Sequence, residues 1–264
     1  MSEKSFTNDF YTILELLKKG TPFAFNRFSD GELFILQNKE LILGDNLIKI
    51  GEKVSAGPYV KEDHKHFNPK EHGFVRDRLL EAFKHRQVGY YKGLGCPCCI
   101  GNDNFLWQFK VLSEDKAEAN LTWSNLLVNG NYPRFINEMF PVFSRYPVVF
   151  IGNEKAELSA LPFVVKSFKV GYNAMINDYP LIEKMKDWIR MNKIQGHLFL
   201  FSASSFSKMA IHQLYSEFPL NTYLDVGTTL NGFINMSIER QYLGDYWYRK
   251  PSPSDIFKIC RWGD

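Results

Sequence analysis

The sequence predicts an α/β protein, a mostly parallel sheet with helices on both faces, folded as a single domain over residues 1–264. Three observations carry this. Short apolar runs such as "VVFIGNE" (148–154) and "HLFLFSAS" (197–204) read as strands buried on both faces. Amphipathic stretches of helical period, such as "YPLIEKMKDWIRMNK" (179–193), separate them. No Gly/Ser/Pro linker, internal repeat or low-complexity tract divides the chain.

Each element follows in order. Apolar positions in "TNDFYTILELLKK" (7–19) recur at helical spacing and stop at Gly20. "PFAFNRF" (22–28) reads as a buried strand and "GELFILQNK" (31–39) as the helix after it. Residues 40–70 carry the turn signals "SAGPYV" and "HFNPKEHG" and predict loops. "FVRDRLLEAFKHR" (74–86) predicts a helix, and "QVGYYKGL" (87–94) a strand running into a cysteine-rich loop. "LTWSNLLVNG" (121–130) suits a strand or a helix, and "YPRFINEMFPVF" (132–143) a helix. The second half is clearer. "YPVVFIGNE" (146–154) is a strand, and "LSALPFVVKSFKVG" (158–171) a short helix followed by a strand. The amphipathic helix 179–193 comes next, then strand 197–204, helix "SFSKMAIHQLYSEF" (205–218) and strand "NTYLDVG" (221–227). Residues 233–264 read as an irregular aromatic and basic segment.

Composition narrows the function classes. Lys and Arg number 32 against 29 Asp and Glu, a net charge of +3 with the signs mixed, which makes no case for a nucleic-acid partner. No apolar run reaches the ~18 residues of a membrane span, and the polar start "MSEKSFTNDF" has no signal-peptide core. These features predict a cytoplasmic protein without a transmembrane segment. Three of the four cysteines, Cys96, Cys98 and Cys99, crowd into "GLGCPCCIGN"; Cys260 stands far away. C-x-C-C matches no standard zinc spacing, and the favoured reading is reduced thiols in a tight turn.

Three predicted strands end in small, polar loops: "FIGNE", "FSASSFSK" and "LDVGTT". In an open parallel sheet the ligand crevice lies at the carboxyl ends of the strands. Ser204, Ser205 and Lys208 sit where a helix starts, a place suited to phosphate, although a plain serine N-cap is the commoner reason for hydroxyls there. Gly152 and Asn153 end one strand, where the glycine could serve only a tight turn. Tyr172 and Asn173 follow another, where an aromatic could stack on a nucleobase but more commonly packs on the surface or in the core. Asp225 could activate a hydroxyl or form an Asx-turn with Gly227. At "FNRFSDGELF" (25–34), Asp30 and Glu32 flank Gly31 just after Arg27. Two oxygens there could converge on Mn2+ or Mg2+, or Ser29 and Glu32 could form a helix capping box; spacing leaves both open.

"RFSDGEL" resembles the R-F-G-D-G-E signature of the GT-D-type glycosyltransferases. The resemblance continues in order over residues 7–232. "VVFIGNE" is similar to the family's central strand and glycine turn, and "VGYNAMINDYPLI" to its N-A-F segment. "FLFSASSFSKMAIHQLY" is similar to its strand, G-P-T-A-K loop and helix, and "YLDVGTTLN" to its D-I-G-H segment. Ser29 replaces a signature glycine, "SASS" a glycine-led loop, and Thr228 a histidine; residues 40–130 match poorly and are the expected acceptor region.

The resemblance implies a Rossmann-like glycosyltransferase of polysaccharide or glycoprotein biosynthesis. A UDP-sugar is the expected donor, and a glycan, glycolipid or glycoprotein the acceptor. Asp30 and Glu32 are then the metal-binding D-x-E pair for Mn2+ or Mg2+. Arg27, Ser204, Ser205 and Lys208 serve the diphosphate. Gly152, Asn153, Tyr172, Asn173 and Gly227 serve the nucleotide, and Asp225 is the acceptor base. A homodimer is compatible with this reading. A metal-dependent nucleotide phosphohydrolase and a nucleotide-binding module without catalysis are the alternatives.

Overall fold

A computed structural model describes residues 4–44, 47–56, 64–116, 118–249 and 255–262. Its centre is a seven-stranded sheet in which every neighbouring pair is parallel. The strands are β1 (Ala24–Arg27), β6 (Tyr90–Leu94), β7 (Leu121–Trp123), β8 (Val148–Asn153), β9 (Val164–Val170), β10 (Leu198–Ser202) and β11 (Thr222–Asp225). Their order across the sheet is β7-β6-β1-β11-β10-β8-β9. From β1 the chain runs outward to β6 and β7. It then crosses over and works inward through β8 and β10 to β11, so β1 and β11 meet at the switch point where such sheets bind ligands.

The two-residue period of the strands builds two cores. Phe199 and Phe201 enter one with Ala24, Val149 and Ile151; Leu198 and Leu200 enter the other with Phe25, Val148 and Phe150. The first core is closed by α3 (Gly73–Lys84), α5 (Asn102–Leu112), α8 (Leu181–Asn192) and α9 (Ser204–Glu217). The second is closed by α1 (Phe6–Lys18) and by the segment 126–143. The expected α/β class, parallel sheet and covered faces are all present. No helix among the described residues is long and apolar enough to cross a membrane.

Several local expectations fail. Within the predicted loop 40–70, β2 (Leu41–Gly44), β3 (Leu47–Ile50), β4 (Lys53–Ala56) and β5 (Lys65–Phe67) form an antiparallel sheet in the order β4-β3-β2-β5. The expected loop at 55–60 lies mostly outside the described residues. The helix predicted at 132–143 is broken into α6 (Tyr132–Arg134), a π-turn (Phe135–Met139) and a 3-10 stretch (Phe140–Arg145); Pro133 and Pro141 remove backbone donors there. The short helix expected at the start of 158–171 is only turns before β9. The segment 233–264 is not wholly irregular, because it holds α10 (Gln241–Trp247).

Candidate active site

The carboxyl ends of β1, β8, β10 and β11 open into one cleft of about 1400 Å³. That volume exceeds a typical single-ligand site of roughly 300–1,000 Å³, leaving room for two substrates. The antiparallel sheet and the C-terminal segment wall it, through residues such as Ile48, Lys65 and Tyr242.

The D-x-E motif forms the first turn of α2 (Asp30–Leu36), with Ser29 as its N-cap in a capping box with Glu32. Residues two apart on a helix do not share a face, and the two carboxylates part company. Asp30 is exposed to the cleft, and its Oδ1 accepts from the Gly31 N–H at 2.9 Å. Glu32 is buried. Its Oε1 accepts from the Ser205 hydroxyl at 2.6 Å and pairs with Lys65 Nζ at 3.4 Å; its Oε2 accepts from the Ser29 N–H at 3.1 Å. Burial alone would raise the Glu32 carboxyl. Lys65 foremost, then Lys208, Ser205 and the Ser29 N–H outweigh it and hold the group down at about 2.

This environment corrects the expected metal pair. Both Glu32 oxygens already accept hydrogen bonds, and two lysines surround the group, so it does not fit a cation ligand. Asp30 does fit one, because a divalent ion bound with substrate phosphates needs only one or two carboxylates. Gly31 has its own reason to be glycine. A Cβ there would stand 2.7 Å from Lys65 Nζ, so the bare backbone admits the lysine to Glu32.

A second buried pair sits across the switch point. Lys208, on α9, meets Asp225 at the end of β11 at 2.6 Å, with side chains 8% and 1% exposed. Lys208 is thus a buried partner rather than the surface cation that its position at a helix start suggests. The same contact corrects the role expected of Asp225, since a carboxylate engaged by an ammonium is poorly placed to take a proton. Its Oδ1 also accepts from the Gly227 N–H at 3.1 Å, the anticipated Asx-turn.

Arg27, the last residue of β1, donates from Nε to the Ser124 carbonyl, while its buried Nη1 has no hydrogen-bond partner among the described residues. Gly227, at φ +53°, lies against it: a Cβ there would fall 2.5 Å from Nη1. A buried guanidinium N–H without a partner, at the edge of a cleft, is a ready anion donor.

The remaining expected residues divide. Ser204 and Asn153 line the cleft, and the Asn153 side chain caps its own turn by accepting from the Lys155 N–H. Ser205 is spent on Glu32 rather than on a phosphate. Neither serine is the N-cap of α9. That place falls to Ala203, whose N–H donates to the Ser207 hydroxyl. Gly152 is a packing glycine, since a Cβ would meet the Phe150 ring at 2.5 Å. Asn173 is occupied structurally. Its amide accepts from the His66 N–H and donates to the His66 carbonyl, both at 3.1 Å, tying β5 to the end of β9. Tyr172 packs its ring 4.7 Å from that of His64 and is not one of the cleft walls.

Residues that the sequence did not point to complete the site. Lys65 comes from the unpredicted antiparallel sheet. Tyr242, from α10, bonds Thr228 at 2.8 Å, and burial pushes its hydroxyl up to about 12. A Thr–Tyr pair thus stands where the resemblance would place a histidine. Only the aromatic composition of the C-terminal segment hinted at this.

No protein-family model matches the chain, and no curated protein matches it. Among solved structures it is similar to one described as "A New Glycosyltransferase (DUF1792) from Streptococcus sanguinis". That match has a TM-score of 0.56 and 14% identity, over 87% of this chain and 82% of that one. It is also similar to a selenomethionine-substituted structure of domain of unknown function 1792, with a TM-score of 0.51 and 13% identity, over 83% and 77% of the two chains. At these identities the likeness is one of fold, and it bears out the fold that the sequence motifs implied.

Proposed function

We propose that this protein is a glycosyltransferase that takes a sugar from a nucleoside-diphosphate donor, with a UDP-sugar the leading candidate, and passes it to a hydroxyl of a glycan, glycolipid or glycoprotein. The observation that carries the reading is the unpartnered Arg27 Nη1 at the switch point, beside the D-x-E turn and inside a cleft large enough for donor and acceptor.

In this reading the donor diphosphate lies across the ends of β1 and β11. Arg27 donates to a phosphate oxygen, and Gly227 leaves the guanidinium room to do so. Lys208 and Lys65 offset the charges of Asp225 and Glu32, so neither carboxylate faces a departing diphosphate unpaired, and that arrangement is preorganised. Asp30 would hold a Mn2+ or Mg2+ ion together with the phosphates, and such an ion supplies further charge neutralisation. The acceptor enters from the side walled by the antiparallel sheet and the C-terminal segment.

Calorimetric titration with UDP, GDP and CDP, with and without Mn2+, tests donor binding, and release of nucleoside diphosphate with and without acceptors tests transfer. The expected result is UDP binding and acceptor-dependent release. Acceptor-independent release of sugar would favour a hydrolase, binding without turnover a nucleotide-binding module, and binding of none of the three would overturn the reading.

A further inference from the structure

The three cysteines of "GLGCPCCIGN" have a fourth partner after all. Cys96, Cys98, Cys99 and Cys260 bring their sulfurs within 4.8 Å of one another, although Cys260 lies 164 residues beyond Cys96 in the chain. All four are free thiols, and the close pair, Cys96 and Cys98, stands at 2.9 Å, well beyond the roughly 2.05 Å of a disulfide. We propose that these four cysteines bind one zinc ion, which clamps the C-terminal segment to the wall of the cleft.

The geometry suits a single ion. Zn–S bonds of about 2.3 Å in a tetrahedron place the sulfurs about 3.8 Å apart. Cys98 and Cys99 already stand at 3.8 Å, and Cys96 and Cys98, at 2.9 Å, would move apart to take the ion. Four thiolates with no nitrogen or oxygen ligand select zinc or iron among common metals. Zinc, which has no redox chemistry to protect, is the structural choice for a closed four-sulfur site.

The surroundings are those of a metal–thiolate centre. Excess negative charge on the sulfurs needs donors, and Asn125 Nδ2 approaches Cys99 Sγ at 3.2 Å while Asn129 Nδ2 approaches Cys260 Sγ at 3.9 Å. Lys258 interacts electrostatically with Cys99, Cys98 and Cys260. The loop is shaped to aim its sulfurs: Cys96 caps the one-turn α4 (Pro97–Ile100), and its carbonyl accepts from the N–H groups of Cys99 and Ile100. Beside the loop, the C-terminal segment closely approaches the turn Asn129–Asn131, with the Gly130 N–H donating to the Lys258 carbonyl at 2.9 Å. A Cβ on Gly130 would fall 2.9 Å from that same oxygen.

The clamp has a consequence for the cleft. Cys99 and Ile100 line it, as do Asn125, Asn129 and Asp255. Asp255 and Ile256 donate their N–H groups to the Asp245 carboxylate on α10, the helix that carries Tyr242. Zinc would therefore hold together the part of the cleft wall that the C-terminal segment forms, and its loss would loosen Tyr242 as well as the loop.

The test is metal analysis of the full-length chain purified under reducing conditions, followed by zinc titration of the stripped, reduced chain against a chromogenic chelator. One zinc per chain is expected in both. Cys260→Ser should bring the content to near none and increase proteolysis after residue 249. Cys98→Ser, an exposed position with little packing, should lose zinc even if Cys260→Ser fails to fold. Cobalt substitution should give the visible absorption of a tetrahedral thiolate centre in the wild type and not in Cys98→Ser. Iron in place of zinc, no uptake by the reduced chain, or full zinc content in Cys98→Ser would each overturn the assignment. None of these readouts uses a sugar nucleotide, so they stand or fall apart from the transferase reading.

Discussion

The floor and the lip of the cleft treat carboxylates in opposite ways. On the floor, Glu32 and Asp225 are buried, and each is engaged by a lysine from another element. On the lip, Asp30 faces the cleft with its own Gly31 N–H as its hydrogen-bond donor. Asp30 and Glu32 are two residues apart in the same helical turn, yet one is exposed at the cleft and the other buried. A spaced pair of acids thus does not define a metal site by itself; what surrounds each oxygen decides. Glycine works the same way at both ends of the floor, with Gly31 making room for Lys65 and Gly227 for Arg27.

Removing charge from the floor should have the largest effect. Glu32→Gln would leave Lys65 facing a neutral amide, and Asp225→Asn would do the same to Lys208. Taking one partner from a buried pair costs about 3–5 kcal/mol, which denaturant unfolding should show for each variant. A change below about 1 kcal/mol in both would mean that the floor is solvated, and the contrast with the lip would collapse.

Acid should act on the same pair somewhat less strongly. The folded-state value of Glu32 is lowered from its ordinary 4.5 to about 2. A carboxyl depressed on folding stabilises the protein above its unfolded value and loses that contribution as pH falls through the folded one. Glu32 should therefore contribute on the order of 3 kcal/mol above about pH 4.5, declining toward pH 2. Unfolding midpoints measured across that window should drop more steeply in the wild type than in Glu32→Gln. Parallel curves would place the acid sensitivity elsewhere.

What was legible in the sequence follows this division. β1, β8, β10 and β11 were readable because doubly buried strands are continuous apolar runs, and their polar ends located the cleft. Asp30, Arg27 and Gly227 were singled out in the sequence, and all three line the cleft. The partners of the floor carboxylates were not. Lys65 lies in a three-residue strand inside a stretch dominated by turn signals, and no local pattern ties it to Glu32 across 33 residues. The apolar tetrads "LILG" and "LIKI" around Asp45-Asn46 were a hairpin signal that the flanking Gly and Pro obscured. Lys208 looked exposed because a helix start usually is; here α9 is packed beneath β1 and β11. Cys260 shows the same limit, since ligands contributed by segments far apart leave no spacing to read.

Arg27 and Gly227 sharpen the comparison at the point where ligand would meet protein. Gly227→Ala keeps the arginine but puts a methyl group 2.5 Å from Nη1, on a backbone whose φ of +53° already disfavours a side chain. A hydrogen bond to a charged group is worth roughly 1.5–3 kcal/mol, so UDP affinity should fall about 10- to 150-fold in Gly227→Ala and in Arg27→Ala. Calorimetry measures it. Unchanged affinity in both would remove the switch point from the proposed donor site.

The smallest effect on the fold is expected at the lip, and it is the most diagnostic. Among the described residues Asp30 makes no bond across the cleft, so Asp30→Asn should move stability by no more than about 0.5 kcal/mol, as surface substitutions usually do. Asparagine keeps the size and one acceptor oxygen but not the charge that a divalent ion requires. If Asp30 holds the cation, wild-type affinity for UDP should rise with Mn2+, and Asp30→Asn should show the same affinity with Mn2+ as in EDTA. Glu32→Gln, wherever it remains folded, should keep the Mn2+ response. The reverse pattern, with the response lost in Glu32→Gln and kept in Asp30→Asn, would mean that Glu32 leaves Lys65 and turns to the metal when donor binds. The lip and the floor would then have exchanged roles.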